Sequence, residues 1–161
     1  MIERIEILVT ALTTRVQRIF SSGSYDTGPV ERLLGKPVLV KVHADGVVGL
    51  GHIRPISPGH FVADTTQSAV AAIREVYGPA LIGKSIFDIE AINEIFMLRL
   101  AGNPAARAAL DIALYDAVGK ALKTPVHNLI GGCCQPRIPL EWSVSMAVDL
   151  AVMIAEGERA V

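Results

Sequence analysis

The stretch that most constrains the fold is a long apolar helix pattern that begins next to a proline and ends at a double glycine. Residues 103–132 read NPAARAALDIALYDAVGKALKTPVHNLIGG. Asn103 is predicted to cap the helix and Pro104 to be its first residue, where the missing N–H of proline does no harm. Apolar side chains then recur at the spacing of one helix face, which predicts a buried stripe. That stripe consists of Leu110, Ala113, Leu114, Ala117, Val118 and Ala121.

Residues at both ends of this segment predict where the helix stops and what packs against it. Pro125 is predicted to stop the helix, and Leu129 and Ile130 to form a short apolar anchor. Gly131-Gly132 then permits a sharp change of direction. Small side chains near the helix start predict that another element packs close to it, and they are Ala105, Ala106, Ala108 and Ala109.

The order of residues in this segment resembles a family signature. ALDIALYDAVGK, followed by Thr-Pro-Val and LIGG, is similar to the signature of the mandelate racemase and muconate lactonizing enzyme branch of the enolase superfamily. Upstream, PALIGKSIFDIEAINEIF resembles the preceding helix pair of the family, and GKPVLVKVHADGVVGLG resembles its N-terminal hairpin. Downstream, IPLEWSVSM resembles the first strand of its barrel. The resemblance covers nearly the whole chain and indicates a family, but not a substrate.

Residue patterns elsewhere predict an α+β fold in which strands precede helices. Alternating apolar residues predict strands at Ile2–Val9, Arg15–Phe20, Pro37–Ala44 and Val47–Gly51. Asp45-Gly46 is a strong hairpin-turn signal between the last two strands. Two segments rich in Gly, Ser or Pro are predicted to be loops, a mobile one at Ser21–Val30 and a second at His52–Ala63. Helices are predicted at Thr65–Tyr77 and Ile86–Leu100, ahead of the main helix.

The resemblance implies a domain organisation for these elements. A three-stranded antiparallel meander followed by a helical bundle, the enolase N-terminal-like capping domain, is expected over residues 1–132. Residues 133–137 are expected to be a linker, and residues 138–161 the first strand and helix of a truncated (β/α) barrel. The strand is predicted at Ile138–Ser145 and the helix from Val148 onward. A strand and a helix with no sheet to join do not form a stable domain, so the chain is expected to be one part of a longer protein.

Composition excludes several classes of partner. The 161 residues carry a net charge of -1 with no run of basic residues, so neither nucleic acid nor a membrane surface is an expected partner. Hydrophobic residues make up 51% of the chain and the mean hydropathy is +0.43, although no uninterrupted apolar stretch is long enough for a membrane span. The charged, alternating N-terminus is not a signal peptide, which predicts a cytoplasmic protein. Such an apolar chain is expected to bury surface against something outside itself.

The family resemblance implies the chemistry of the complete protein. Members remove a proton α to a carboxylate, Mg²⁺ (or Mn²⁺) stabilises the resulting enediolate, and Lys or His residues act as acid and base. The catalytic Lys-X-Lys of the family lies beyond Val161 and its metal ligands lie later still, so no catalytic or metal-binding residue is expected in this chain. The expected partners are a small-molecule carboxylate substrate, the missing barrel and further copies in a homo-oligomer.

Two loops of the capping domain close over the barrel in this family, and the matching segments are Ser21–Val30 and His52–Gly59. Tyr25 in the first, and His52 and Arg54 in the second, are therefore candidates for substrate contact. His52 departs from the family, because many members carry Glu after the Gly-Leu-Gly sequence. Pocket-lining candidates on the presumed barrel strand are Ser145 and Met146.

Other polar residues favour structural roles. Asp111 and Asp116 lie five residues apart, about 140° around a helix, so they are predicted to point apart. Asp116 and Lys120 form an i, i+4 pair. Adjacent cysteines rarely bond each other, so Cys133 and Cys134 are predicted to be reduced thiols in a linker.

Two alternatives to the isomerase interpretation follow from the same residues. A stand-alone, non-catalytic capping or interaction module that self-associates would also lack the catalytic lysines, although a half-built barrel unit argues against it. A nucleotide-binding module is excluded because the glycine-rich GVVGLG lies in a hairpin rather than at a strand-to-helix turn.

Overall fold

The main sheet of this computed structural model has three antiparallel strands. The structure describes residues 1–11, 17–20, 23–26, 36–54, 63–140, 144 and 149–159, with backbone only at 17–20 and 23–26. The described strands are β1 (Ile2–Val9), β2 (Gln17–Phe20), β3 (Gly23–Asp26), β4 (Val38–Ala44) and β5 (Val47–Ile53). The order in the main sheet is β1–β4–β5, which confirms the predicted meander, and the Asp45-Gly46 turn joins β4 to β5. Val38, Val40 and Val42 face the core and are fully buried.

The region between β1 and β4 corrects one prediction. β2 and β3 pair antiparallel in a separate two-stranded sheet, with Arg18 opposite Tyr25. The segment Ser21–Val30 was predicted to be a loop, but Gly23–Asp26 within it is strand β3. A four-residue strand of Gly, Ser, Tyr and Asp carries no apolar alternation, so only its pairing with β2 defines it.

The helices follow the strands in the chain. They are α1 (Thr66–Ala71), a π-helical turn (Ala72–Tyr77), α2 (Gly78–Leu81), α3 (Ile89–Arg99), α4 (Pro104–Leu122), a 3₁₀ turn (Val126–Leu129) and α5 (Leu150–Glu158). Helix α4 packs on β4 and β5 of the main sheet. The three helices predicted ahead of Pro125 are confirmed, but the first extends to Leu81 through its π-helical turn. Tyr77 and Phe96 pack edge to face at 5.0 Å inside the core, and the Tyr77 hydroxyl donates to the Leu100 carbonyl. Among the described helices, none combines the length and apolar character that a membrane span requires.

The start of α4 is capped by a residue that is distant in the sequence. Asn103 occupies the N-cap position in the left-handed conformation (φ 50°) and makes no side-chain capping bond, which corrects the predicted cap. The buried Asp64 carboxylate instead accepts the Ala105 N–H at 2.8 Å. Pro104 is the first helical residue, as predicted. An acidic group at this end also complements the helix dipole.

The end of α4 precedes the proline that was predicted to stop it. Lys123 adopts the left-handed conformation (φ 54°), and the Thr124 N–H donates to the Gly119 carbonyl at 2.9 Å. This bond is the pattern of a Schellman cap, so the helix has already ended before Pro125. Gly131 and Gly132 both have positive φ, which agrees with the predicted change of direction.

The described residues after position 132 contain helix α5 but no strand. The predicted strand Ile138–Ser145 is not found, because residues 138–140 and 144 are not in a strand and the others lie outside the described residues. A strand requires a neighbour to pair with, and the described part of the chain supplies none there. The helix predicted from Val148 onward is present as α5, none of whose residues is buried.

Candidate functional site

Strand β5 leads directly to two of the predicted lid residues. His52 lies in β5, pairs with Leu39 of β4 and has an exposed side chain. Arg54 is the first residue after the strand and is partly buried. The position of these two side chains is therefore set by how β5 is held on the rest of the domain.

Two glycines bring β5 into close contact with α4. A Cβ atom at Gly49 would lie 1.9 Å from the Ala113 carbonyl oxygen, and one at Gly51 would lie 1.9 Å from the Ala109 carbonyl oxygen. Neither distance is compatible with a side chain, so the strand backbone lies directly against the helix backbone. Of the small residues at the helix start that were predicted to admit a close neighbour, Ala109 lies against β5, and the other contacts come from Ala113 and Ala117 further along the helix.

An ion pair on α4 forms hydrogen bonds with backbone groups of the edge strand β5. The Asp116 carboxylate accepts the Leu50 N–H at 2.7 Å and a hydrogen bond from the Lys120 ammonium at 2.6 Å. The Lys120 ammonium also donates to the Val48 carbonyl at 2.7 Å. One donor and one acceptor of an edge strand are thus occupied by side chains, as they would be by a further strand. The predicted i, i+4 pair is present, and it docks the helix onto the strand that carries His52.

Asp111 and Asp116 point to different neighbours, as predicted. The Asp111 carboxylate interacts with Asn93 on α3, whereas Asp116 reaches β5. Burial raises the pKa of the Asp111 carboxyl and Glu90 raises it further, against a hydrogen bond from Asn93 that lowers it. Its Oδ1 atom is buried, and no described residue donates a hydrogen bond to it.

An apolar groove of about 480 Å³ runs along α4 between these acidic residues. Its apolar walls are formed by Leu50, Ile112, Tyr115, Val126 and Ile130, and its polar wall by Asp111, Asp116 and Lys120. Leu129 packs against the core as predicted, but Ile130 is 65% exposed at the groove and does not act as an anchor within the described chain.

The remaining predicted site residues are not brought together by the described structure. Tyr25 lies in β3, on the two-stranded sheet rather than the main one. Ser145 and Met146 lie outside the described residues. Cys133 and Cys134 are both free and exposed.

The sequence did not reveal Asp64 as the cap of α4, because 41 residues separate it from the N–H whose hydrogen bond it accepts.

The described residues do not fit a divalent-metal site. They contain no group of three or more His, Cys, Asp or Glu side chains arranged to hold an ion. Mg²⁺ and Mn²⁺ prefer several oxygen ligands, and the Asp116 carboxylate is already engaged by Lys120. The described part of the chain therefore offers no ligand set for such an ion.

Comparison with known families decides the classification. The sequence profile of the family described as "Mandelate racemase / muconate lactonizing enzyme, N-terminal domain" matches residues 30–131, more than half of the chain. The chain belongs to this family. The mandelate racemase / muconate lactonizing enzyme match includes β4, β5 and α1 to α4, so the groove and both close contacts of β5 lie within it.

Individual relatives are enzymes whose names describe isomerisations. N-succinyl-L-Arg/Lys racemase of Bacillus cereus is 31% identical over 97% of this chain and 42% of its own length. A chloromuconate cycloisomerase of Cupriavidus pinatubonensis is 33% identical over 76% of this chain and 35% of its own length. The chain thus spans between 24% and 42% of the length of the curated relatives compared with it.

Solved structures agree with the assignment to this mandelate racemase / muconate lactonizing enzyme family. Muconate lactonizing enzyme of Pseudomonas fluorescens, in complex with muconolactone, superimposes with a TM-score of 0.81 at 29% identity. The match covers 98% of this chain and 41% of that one. The N-succinyl Arg/Lys racemase from Bacillus cereus has a TM-score of 0.75, over 91% of this chain and 37% of its own. The arrangement of sheet and helices is therefore that of the N-terminal part of these enzymes.

Proposed function

We propose that this chain is the N-terminal capping part of a divalent-metal-dependent isomerase that removes a proton α to a carboxylate. The reaction is a racemisation, an epimerisation or a cycloisomerisation through an enediolate. The observation that carries the proposal is the match of almost the whole chain to about two fifths of racemases and cycloisomerases. In the complete protein, Mg²⁺ or Mn²⁺ would supply positive charge where negative charge develops on the substrate carboxylate.

The apolar surface after residue 132 supports the existence of a further part of the protein. Ile138 is 77% exposed and Leu140 is 95% exposed. Helix α5 also exposes Leu150, Val152 and Ile154, on more than one of its sides. Such a helix is typical of an element that is enclosed by neighbours. We infer that residues 138–161 form the first β/α unit of the barrel and that residues 133–137 link it to a capping domain over residues 1–132.

The capping part contributes substrate selection rather than proton transfer in this proposal. Tyr25, His52 and Arg54 are proposed to contact the substrate, and Ser145 and Met146 to line the pocket. Arg54 suits an anionic group because a guanidinium donates two parallel hydrogen bonds to a carboxylate. Catalytic lysines and metal ligands are proposed to lie in the part of the protein that follows this chain.

The first experiment is the intact mass of the protein purified from its natural source. A mass well above 17.2 kDa is expected. The same protein, supplied with Mg²⁺, is then tested for exchange of solvent deuterium into the α position of N-succinyl amino acids and dipeptides, and for cycloisomerisation of muconates. Exchange or cycloisomerisation is expected from the longer protein and not from the 161-residue chain. A compact 17.2 kDa monomer without activity would instead support the stand-alone capping or interaction module.

The proposed lid residues are tested by kinetics of the complete protein. Arg54→Ala is expected to raise KM for the carboxylate substrate by about tenfold or more, because a charge-assisted hydrogen bond contributes roughly 1.5–3 kcal/mol. His52→Ala is expected to act in the same direction. The matched control is Arg74→Ala, which removes an exposed arginine from the π-helical turn. An unchanged KM for Arg54→Ala, or an equal rise for the control, contradicts a substrate-contacting role.

A further inference from the structure

Strand β5 has little side-chain packing at its centre. Its alternate side chains face the core, and the middle two of these positions are occupied by Gly49 and Gly51. The outer two positions, Val47 and Ile53, supply the apolar side chains that pack against the core. Glycine has no side chain to interdigitate with a neighbour. The close contact therefore sets the distance between β5 and α4, but it offers little resistance to sliding of the strand along the helix.

Hydrogen bonds from the Asp116–Lys120 pair supply that resistance. The Asp116 carboxylate accepts the Leu50 N–H at 2.7 Å, and the Lys120 ammonium donates to the Val48 carbonyl at 2.7 Å. Both bonds are directional, so each is weakened when the strand slides. The side chains of Lys120 and Asp116 are 43% and 30% exposed, and the charge attraction of such a pair contributes little to stability. Its main effect is therefore to fix where the strand backbone lies on α4.

The fixed part of β5 lies immediately before two residues that are proposed to contact the substrate. His52 and Arg54 follow Leu50 in the chain, roughly 7 Å and 13 Å further along an extended backbone. Side chains alternate along a strand, so His52 lies on the same face as Leu50. A displacement of the backbone at Leu50 is thus transmitted to His52 and, through Ile53, to Arg54.

We propose that Asp116 and Lys120 are positioning residues, which hold the end of β5 so that His52 and Arg54 meet the substrate. The pair acts through the strand backbone and contacts neither the substrate nor the reacting atoms. The inference deepens the proposed function and rests on it for the substrate contacts of His52 and Arg54. It gives a pair within the capping part an effect on substrate binding.

Steady-state kinetics of the complete protein tests the positioning role. Lys120→Met is expected to raise KM for the carboxylate substrate by roughly threefold to tenfold and to change kcat by less than about twofold, because a misplaced binding group weakens substrate binding without entering the chemical step. Lys120→Arg keeps a cation with several N–H donors, so its KM is expected to stay within about twofold of that of the unsubstituted protein.

The control separates positioning from a loss of folded protein. Lys84→Met removes an exposed lysine that lies outside β5 and α4, and it is expected to leave KM unchanged. A purely structural role of Lys120 would reduce the amount of folded enzyme in the Lys120→Met preparation. That loss lowers the apparent kcat and leaves KM unchanged, so a KM equal to that of the unsubstituted protein would overturn the proposal.

A double-mutant cycle shows whether the effect passes through the two lid residues. In a protein that carries both His52→Ala and Arg54→Ala, Lys120→Met is expected to change KM by less than about 1.5-fold, because the groups that it would misplace are already absent. An equal rise of KM with and without His52 and Arg54 would overturn the proposal.

Hydrogen exchange of the same variants provides a test that needs no activity. The backbone amides of residues 48–54 are expected to exchange at least about fivefold faster in Lys120→Met than in the unsubstituted protein, as measured by mass spectrometry of their peptide. The amides of α1 are expected to exchange at an unchanged rate, and Lys84→Met is expected to change neither region. Unchanged exchange of residues 48–54 in Lys120→Met would overturn the proposal, whatever the activity.

The two readouts separate this inference from the proposed function. Unchanged exchange and unchanged KM for Lys120→Met in an active isomerase refute the positioning role alone. Faster exchange confined to residues 48–54, in a protein without isomerase activity on any of the carboxylates, supports the positioning of β5 and refutes the proposed function.

Discussion

Substituting Gly51 by alanine is the strongest test of how β5 is held on α4. The added Cβ would lie 1.9 Å from the Ala109 carbonyl oxygen and 3.2 Å from the Ala113 Cβ. Non-bonded atoms rest about 3.5 Å apart, so strand and helix must separate by about 1.6 Å. Neither of these atoms can move away as the end of a flexible side chain could, because one is a backbone oxygen of the helix and the other is a Cβ atom bonded directly to its backbone.

The cost of that separation follows from the contacts it disturbs. Overpacking a core costs about 1–3 kcal/mol, and the two 2.7 Å bonds that join Leu50 and Val48 to the Asp116–Lys120 pair would be stretched as well. We expect Gly51→Ala to lower the free energy of unfolding by about 3–5 kcal/mol, a large share of the stability of an ordinary domain.

Urea unfolding followed by far-ultraviolet circular dichroism measures this loss. The matched control is Gly157→Ala, because a Cβ at Gly157 of α5 meets no atom within 4 Å. That change should leave the free energy of unfolding unchanged or raise it by up to about 1 kcal/mol, as alanine favours helices over glycine. A loss below about 1 kcal/mol for Gly51→Ala would refute the argument that the close approach is rigid.

Three further changes test other contacts of the capping part. Lys120→Met should lower the free energy of unfolding by about 1–3 kcal/mol in the same urea assay, because it leaves the Asp116 carboxylate and the Val48 carbonyl without their cation. An unchanged unfolding midpoint would contradict the role of this pair in holding α4 on β5. Asp64→Ala should lower the free energy of unfolding by about 1–2 kcal/mol through loss of the α4 cap, whereas Asn103→Gly should change it little. Equal losses for the two variants would contradict the assignment of the cap to Asp64. Because burial raises the pKa of the Asp111 carboxyl, the folded chain holds that proton more tightly than the unfolded chain, so this stabilisation is complete at low pH and is lost as the pH rises through the folded pKa. The stability of Asp111→Asn relative to the unsubstituted 161-residue chain should therefore increase with pH across that range, and a pH-independent difference in urea unfolding would contradict it.

Strong local patterns predicted most of the fold correctly. The α4 pattern, the alternation of β1 and β4, and the turn at Asp45-Gly46 each rest on residues that are close in the sequence. β3 was missed because its four residues have no apolar alternation, so that its strand conformation depends on pairing with β2. The π-helical turn at Ala72–Tyr77 was likewise not predicted, since its residues fit an ordinary helix equally well.

The candidate site was predictable only in part. His52 and Arg54 were predicted to lie in a loop that begins at His52, but β5 extends to Ile53, so His52 lies in the strand and Arg54 follows it directly. Their role remains a prediction. The Asp116–Lys120 pair was recognised from its spacing, but its attachment to β5 was not, because Leu50 and Asp116 are 66 residues apart. The unsatisfied oxygen of Asp111 has no signal in the sequence at all, since it depends on what surrounds the atom in three dimensions.

The sequence by itself determined the elements of this protein and its family, because helix periodicity, strand alternation and turn residues act over short distances along the chain. Only the tertiary structure decided which elements meet. It brought β5 against the α4 backbone through Gly49 and Gly51, and it placed Asp64 at the start of α4. It also left one buried carboxylate oxygen of Asp111 without a hydrogen-bond donor among the described residues. The residue Asp111 is one of those that line the apolar groove on α4. These outcomes depend on packing between distant segments, where the space available to each atom is set by all of its neighbours.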